Sequence, residues 1–247
     1  MALFEAKDLH LRFGSRVVLE NVSLAFEAGQ LSGIMGPNGA GKTTCFNVLT
    51  GRYKPHRGQV LLEGQDITGR SPQEIARLGV ARSFQILNLF DEFTVFENIA
   101  IALPATRARG GNMVAQAYAD RTLQDEALEI LDKVGLAARA DDMAKALPYG
   151  ARRALEIAVA LACRPKLLFL DEPTAGLGSD GRARLAELIR TLKGDLTIVI
   201  IEHDMEFLFS LADRISIIHW GQVIAGGTPA ELKANPWVQS SNLGRLN

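Results

Sequence analysis

Residues Gly36-Pro37-Asn38-Gly39-Ala40-Gly41-Lys42-Thr43, followed by Thr44, carry the densest chemical signal in the chain. The pattern of a glycine, four residues and then Gly-Lys-Thr is the spacing of a loop that wraps phosphate groups. Glycines let the backbone curl so that successive N–H groups point inward at an anion. Lys42 supplies a cation able to reach the β- and γ-phosphates of a nucleotide, and the Thr43 hydroxyl is placed to hold Mg²⁺. A second constellation lies far downstream. Lys166-Leu167-Leu168-Phe169-Leu170-Asp171-Glu172-Pro173 is an apolar run that ends in paired carboxylates. Asp171 suits direct or outer contact with Mg²⁺, and Glu172 suits polarising a water for attack on a γ-phosphate.

Both constellations need elements to position them. The apolar run Leu31 to Met35 reads as a strand leading into the loop. Lys42 to Thr50 reads as a helix leading out, with the positive end of its dipole under the phosphates. A buried strand with charges only at its C-terminal end sets Asp171 and Glu172 at the mouth of an α/β sheet, where ligands bind. Upstream, Phe4 to Phe13 and Val22 to Phe26 alternate like strands about a Gly14-Ser15 turn. Gly58 to Leu62 reads as a strand before a Gly64 turn, Pro72 to Leu78 as a short helix capped by Ser71, and Val80 to Phe84 as a strand. From Gln85 to Gly150 the pattern turns helical, with a Gly110-Gly111 break and an Ala-rich charged run from Met113 to Val134. Strands return at Leu167 to Leu170, Leu196 to Ile201 and Ile215 to Ile218, with a helix over Gly181 to Lys193. The tail from Pro229 reads as two short helices separated by Pro236. Alternating strand and helix around a phosphate loop predicts an α/β fold, a mostly parallel sheet with helices on both faces. The expected divisions are a nucleotide-binding core over 1–84 and 154–228, a helical subdomain over 85–153 and a helical tail over 229–247.

Composition limits the alternatives. The 247 residues suffice for one sizeable core or for a core with an insertion. A formal net charge of −1 gives no general attraction to nucleic acid or anionic lipid. No apolar stretch reaches the roughly 18–20 residues that span a bilayer. The longest candidate, Leu155 to Leu170, is interrupted by Arg164-Pro165-Lys166. Glu5, Lys7 and Asp8 leave no signal-peptide core in the first residues, so a cytosolic chain is expected. Cys45 and Cys163 sit in apolar helical contexts and are expected to be buried small hydrophobes, with no zinc spacing around them.

In this order and spacing the residues resemble those of ATP-binding cassette (ABC) ATPases of the transporter type, over nearly the whole chain. Such a resemblance implies a P-loop NTPase (RecA-like) core, an N-terminal antiparallel β subdomain and an inserted helical subdomain. It implies ATP and Mg²⁺ as ligands. Gln85, at the end of a strand before the helical insert, resembles the family's glutamine-loop residue and would contact Mg²⁺. His203, after the strand ending at Ile201, resembles the switch histidine. Phe13 sits where the family stacks an aromatic on adenine, with Val18 nearby. Lys42, Glu172, His203 and Gln85 would form the catalytic set, with Thr43, Gln85 and Asp171 around the metal.

The family signature is where this chain departs. Leu147-Pro148-Tyr149-Gly150-Ala151 stands where Leu-Ser-Gly-Gly-Gln is usual. Pro148 has no side-chain donor to replace the serine hydroxyl. Gly150 and the following helix, Arg152 to Ala162, keep the pattern and can still aim a helix N-terminus at a phosphate. Arg82-Ser83-Phe84-Gln85, Asn88-Leu89-Phe90, Glu202-His203-Asp204-Met205 and the ending Gly227-Thr228-Pro229 through Asn235-Pro236 make the chain look like the longer ATPase subunit of branched-chain (hydrophobic) amino-acid importers. The urea-importer ATPase is a close alternative. The resemblance implies transmembrane permease subunits, a second ABC ATPase (itself or a sister chain) in a head-to-tail dimer, and a periplasmic solute-binding protein acting indirectly. It implies a peripheral location on the cytoplasmic side of the inner (plasma) membrane. Soluble cassettes acting on nucleic acid or ribosomes usually carry two fused cassettes, long coiled-coil arms or basic extensions, whereas this sequence shows one cassette, near-neutral charge and no arm. A regulatory cassette without hydrolysis is disfavoured by Glu172 and His203. The apolar cluster Ile86, Leu87, Leu89, Phe90 and Phe93 is either core of the helical subdomain or the lining of a groove for a permease helix.

Overall fold

A computed structural model describes residues 2–83, 89–109 and 111–240. Gln85, with Phe84, Ile86, Leu87 and Asn88, lies outside the described residues, as does Gly110. The strands are β1 (Ala2–Phe13), β2 (Arg16–Glu27), β3 (Leu31–Met35), β4 (Arg57–Leu62), β5 (Gln65–Asp66), β6 (Val80–Arg82), β7 (Leu167–Asp171), β8 (Thr197–Ile201), β9 (Arg214–His219) and β10 (Gln222–Gly227). The helices are α1 (Lys42–Leu49), α2 (Pro72–Arg77), α3 (Val95–Ala100), α4 (Pro104–Arg109), α5 (Met113–Ala119), α6 (Arg121–Lys133), α7 (Tyr149–Ala162), α8 (Ser179–Leu192), α9 (Met205–Leu211), α10 (Pro229–Ala234) and α11 (Pro236–Ser240).

The strands form an antiparallel sheet in the order β2-β1-β4-β5 and a larger sheet in the order β10-β9-β3-β8-β7-β6. The larger sheet is parallel from β9 to β6, with β10 antiparallel at its edge. Strand alternation explains how it is buried. In β7, Leu167 and Phe169 point into one apolar cluster, while Leu168 and Leu170 point into another on the opposite face. Phe169 is the hub of the first. Its ring takes edge contacts from Phe4 of β1 at 5.5 Å and Phe46 of α1 at 5.6 Å. One buried aromatic thus ties together the antiparallel sheet, the strand that ends in Asp171 and the helix that starts at Lys42. Its truncation to alanine costs roughly 3–5 kcal/mol and loosens all three. On the other face α8 and α9 pack Leu185, Ile189 and Leu208 onto β3, β7 and β8. A third cluster lies among α3, α6 and α7, to which Val95, Ile99, Leu131 and Leu155 contribute. Helix α7 serves two clusters, with Ile157 and Ala160 in the second and Leu155, Ala158 and Ala162 in the third.

Several local features differ from the sequence reading. The Met113 to Val134 run is divided at Asp120, whose carboxylate accepts from the Thr122 and Leu123 N–H groups and starts α6. Helix α7 starts three residues before Arg152, because Pro148 has the extended backbone of an N-cap (φ −56°, ψ 152°) and Tyr149 and Gly150 continue it as its first turn. Cys45 is fully buried, and burial pushes its thiol up to about 12. Cys163 is only half-buried, because it ends α7 at the wall of a surface groove.

Candidate functional site

Parallel strands ending at one edge bring the candidate groups together. The phosphate-type loop leaves β3, Ser83 follows β6, Asp171 and Glu172 end β7, and Glu202 and His203 follow β8. This is the edge at which α/β sheets bind ligands.

In the loop, Gly36 has φ 154°, and a Cβ there would lie 2.0 Å from the Ile218 carbonyl oxygen. Gly41 has φ 102°, and a Cβ would lie 2.9 Å from the Val18 carbonyl oxygen. A side chain at either position would break the curl. Gly41 is the N-cap of α1, so the helix points its free N–H groups into the loop. The Lys42 ammonium is buried and donates to the carbonyls of Gly36 at 2.7 Å and Pro37 at 3.0 Å. Burial lowers its pKa, against the opposing pull of Glu172, Asp171 and Glu202. An open cleft of about 310 Å³ sits over the loop. It is lined by Phe13, Arg16 and Val18 from β1 and β2, by Asn38, Gly39 and Gly41 to Thr44, and by Glu172. Phe13 is half exposed and stands edge-on to Tyr53 at 5.4 Å, which steadies its ring at the wall of the cleft.

Asp171 is 2% exposed. Its N–H donates to the Ser83 hydroxyl at 3.4 Å, and its Oδ1 is buried without a hydrogen-bond partner among the described residues. Burial, reinforced by Glu172, raises its pKa to about 6, and Arg82 and Arg153 offset part of the rise. A buried carboxylate oxygen left unbonded is costly and fits a hard, oxygen-seeking cation. No group of three or more His, Cys, Asp or Glu that could hold a metal occurs among the described residues. Mg²⁺ is usually held by one or two protein groups together with phosphate oxygens and water. Asp171 and the exposed Thr43 hydroxyl could supply those groups here.

Glu172 follows in a left-handed conformation, φ 44°. Its N–H donates to Ile201 O at 2.8 Å, and its carboxylate faces the cleft. His203 Nδ1 stands 3.7 Å from Glu172 Oε1 and 3.6 Å from Glu202 Oε2. Glu202 is fully buried and saturated. Its Oε1 accepts from the Thr174 N–H and hydroxyl, and its Oε2 from the His203 and Asp204 N–H groups. This carboxylate pins the loop carrying His203 to the loop after Glu172. Ser83 and Glu202 entered the sequence reading only within runs that carry the resemblance, without a role, and Arg16 did not enter it. Glu202 carries the same signal as Asp171, an acid ending an apolar strand, whereas an exposed arginine such as Arg16 carries none.

The Leu147 to Ala151 signature lies at the start of α7. Pro148 caps the helix without a side-chain hydrogen bond. Tyr149 is exposed, and its hydroxyl donates to Ala175 O at 3.1 Å. The Tyr149 ring covers Gly176, where a Cβ would come within 3.1 Å of it. Away from the cleft, a groove of about 910 Å³ runs between α2, β6, α4 and α7. Of the apolar residues after Gln85, Leu89 packs on the helical core, and Phe90 stays exposed, stacked on Phe93 at 5.3 Å.

Residues 19–175 match the family described as ABC transporter. The chain is 41% identical to the high-affinity branched-chain amino acid transport ATP-binding protein LivG of Salmonella typhimurium, over 98% of each chain. It is 40% identical to the protein of the same description called BraF in Pseudomonas aeruginosa, again over 98% of each. Its fold matches the crystal structure of the ADP conformation of an ATP-binding cassette of an ABC transporter, with TM-score 0.85, 28% identity and 100% of each chain covered.

Proposed function

The chain belongs to the ABC transporter family and is an ATPase subunit, and from that premise we propose that it powers import of branched-chain or other hydrophobic amino acids. Near-full-length likeness to two importer subunits supports the solute class. The observation that carries the chemistry is the convergence on one sheet edge of the Lys42 ammonium, Glu172 and the Asp171 oxygen that has no hydrogen-bond partner among the described residues.

In this reading the nucleotide's phosphates lie against the loop N–H groups and the start of α1, and Phe13 stacks on adenine with Val18 beside it. Thr43 and Asp171 would hold Mg²⁺, which would supply charge neutralisation at the phosphate oxygens, and Gln85, which the family resemblance adds to this set, lies outside the described residues. Lys42 leaves its loop carbonyls to meet the β- and γ-phosphates. Glu172 accepts a proton from the attacking water as its oxygen bonds to the γ-phosphorus. The bond from that phosphorus to the bridging oxygen breaks, giving ADP and phosphate. His203, between the carboxylates of Glu172 and Glu202, donates to the γ-phosphate. In a head-to-tail dimer, Pro148, Tyr149 and Gly150 face the nucleotide held by the other chain.

No helix among the described residues is long and apolar enough to cross a membrane. We place the chain on the cytoplasmic face of the inner membrane, held by a permease helix in the groove between α2 and α7 and by a second contact at the exposed Phe90. Co-purification with permeases, followed by uptake assays in proteoliposomes with the solute-binding protein, tests this. Leucine-dependent ATP turnover is expected, and urea uptake without leucine uptake would move the assignment to an amide importer. Phe90→Asp is expected to lower uptake while the isolated chain keeps its ATPase rate and melting temperature.

A further inference from the structure

The second turn of α7 holds a buried charged pair that the chemistry above does not use. Arg153 is 2% exposed, and each nitrogen of its guanidinium donates to a different acceptor. Nη1 meets Glu156 Oε2 at 2.6 Å, Nη2 meets the Glu172 carbonyl at 3.2 Å, and Nε meets the Pro173 carbonyl at 3.4 Å. The two backbone acceptors belong to the carboxylate residue at the cleft and its neighbour.

Glu172 needs such ties. It is a non-glycine residue at φ 44°, and it precedes a proline, which further narrows its backbone choices. Its N–H is held by Ile201 on one side, and its C=O is held by Arg153 on the other. Arg153 therefore bears on the peptide that orients the Glu172 side chain. Glu156, one turn along α7 and 6% exposed, forms part of the wall of the groove of about 910 Å³. The pair spans the distance from the groove wall to the backbone of Glu172.

Stability alone does not account for such a pair. Replacing a buried ion pair by apolar side chains of similar volume is often neutral or stabilising. What an arginine adds is a planar fork that fixes several acceptors in one geometry, which neither lysine nor an apolar side chain does. We propose that Arg153 is a positioning residue for Glu172, and that Glu156 transmits occupancy of the groove to it through the ion pair. This rests on the reading of Glu172 as the group that activates water and of the groove as the permease site.

The test is steady-state ATPase kinetics on the full chain and on the assembled transporter. R153K keeps the buried charge but not the fork, and R153M/E156L replaces the pair by apolar groups. Both are expected to lower kcat by at least about tenfold while the KM for ATP moves less than about twofold, the scale of losing a charge-assisted hydrogen bond in the reacting complex. R153M/E156L is expected to melt within a few degrees of the parent. If it melts like the parent and also turns over like the parent, the positioning role is overturned. Should the double variant fail to fold, R153K decides the matter, and a parental kcat in R153K overturns the proposal. For Glu156, E156Q is expected to cut the ratio of complex-stimulated to isolated ATPase rate by about threefold or more, and an unchanged ratio overturns transmission from the groove. E172Q is the control for the underlying reading. If E172Q turns over normally, the assignment of Glu172 has failed, whatever Arg153 does.

Discussion

The strand-end cluster and the start of α7 both offer phosphate-seeking groups, but they are built differently. The first relies on charged side chains locked by packing and backbone. Lys42 is held on loop carbonyls, Asp171 is buried with one oxygen unbonded among the described residues, and Glu172 is fixed in a left-handed turn. The second has only the free N–H groups of a helix start, behind a proline that makes no side-chain hydrogen bond. The difference shows that the helix start keeps its fold without a side-chain cap. An N-cap asks for extended backbone, which Pro148 supplies, and the Tyr149 hydroxyl on Ala175 holds the helix start against the loop after Glu172. The cluster at the strand ends has less latitude, because Lys42 and Asp171 are buried and Glu172 is fixed through its backbone.

The largest expected effects lie on the strand-end side. Glu172→Gln keeps size but loses the base, and kcat is expected to fall by about 10²–10⁴-fold, with ATP bound and retained. Lys42→Ala is expected to weaken ATP binding itself. Turnover and retained nucleotide in the purified variants check both. Parental turnover in Glu172→Gln breaks the comparison at its root.

The next effect is asymmetry between composite sites. If the chain pairs with a sister carrying a serine signature, the site built from this chain's Lys42, Asp171, Glu172 and His203 is complete, and the other site faces Pro148. A missing hydrogen bond to a charged phosphate is worth about 1.5–3 kcal/mol, or roughly ten- to over a hundredfold. Low activity is therefore expected for this chain alone and much higher activity for the mixed complex. There, Glu172→Gln is expected to cost more than the equivalent change in the sister. Pro148→Ser is expected to raise the rate of the chain alone. Equal losses from the two glutamate variants defeat the asymmetry.

How much of this was legible in the sequence depended on whether the cause was local. The phosphate loop and the Asp171-Glu172 pair could be read because their chemistry lies in consecutive residues on a patterned strand. Arg152 and Arg153 show the opposite case. They are adjacent and identical in type, yet Arg152 pairs with Asp91 at the surface, and Arg153 is buried under the Glu172 backbone. About 100° of helix rotation separates them, and only tertiary packing decides which one faces inward. The edge strand β10 ends in Gly226-Gly227, a poor strand sequence, and owes its form to pairing with β9. Helix α9 was missed for a related reason. It is a short segment, Met205–Leu211, started by the Asp204 carboxylate and packed through Phe207 and Leu208.

The comparison also predicts a stability difference. At pH 7 the folded, metal-free chain carries Asp171 ionised against its burial. Its pKa is raised from 3.8 to about 6, so between those values the native state binds more protons than the unfolded chain. The destabilisation is therefore fully present above pH 6 and is relieved as the pH falls towards 4. Asp171→Asn is expected to stabilise the metal-free protein at pH 7, by on the order of 2 kcal/mol, while abolishing Mg²⁺-dependent turnover. The gap in melting temperature is expected to close on acidification, and Mg²⁺ with nucleotide is expected to raise the parent and not the variant. A variant no more stable than the parent at pH 7 shows that Asp171 Oδ1 is not the strained group described here.

The smallest effect belongs to Tyr149, and it sharpens what the signature side still does. Its hydroxyl donates to Ala175 O at 3.1 Å from an exposed position, and its ring lies over Gly176. Tyr149→Phe removes the hydrogen bond and keeps the ring. A neutral hydrogen bond is worth about 0.5–1.5 kcal/mol net, and exposure puts this one at the lower end. The isolated chain is therefore expected to melt within about a degree or two of the parent. If the hydroxyl aligns α7 with the loop after Glu172, turnover in the assembled dimer falls by about two- to fivefold, while ATP binding to the isolated chain is unchanged. Tyr149→Ala, which also removes the ring from Gly176, is expected to cost more in both respects. Comparing the two variants separates the hydrogen bond from the packing. If Tyr149→Phe matches the parent in the assembled dimer and only Tyr149→Ala is impaired, then packing of the ring, and not the hydroxyl, holds the signature in place.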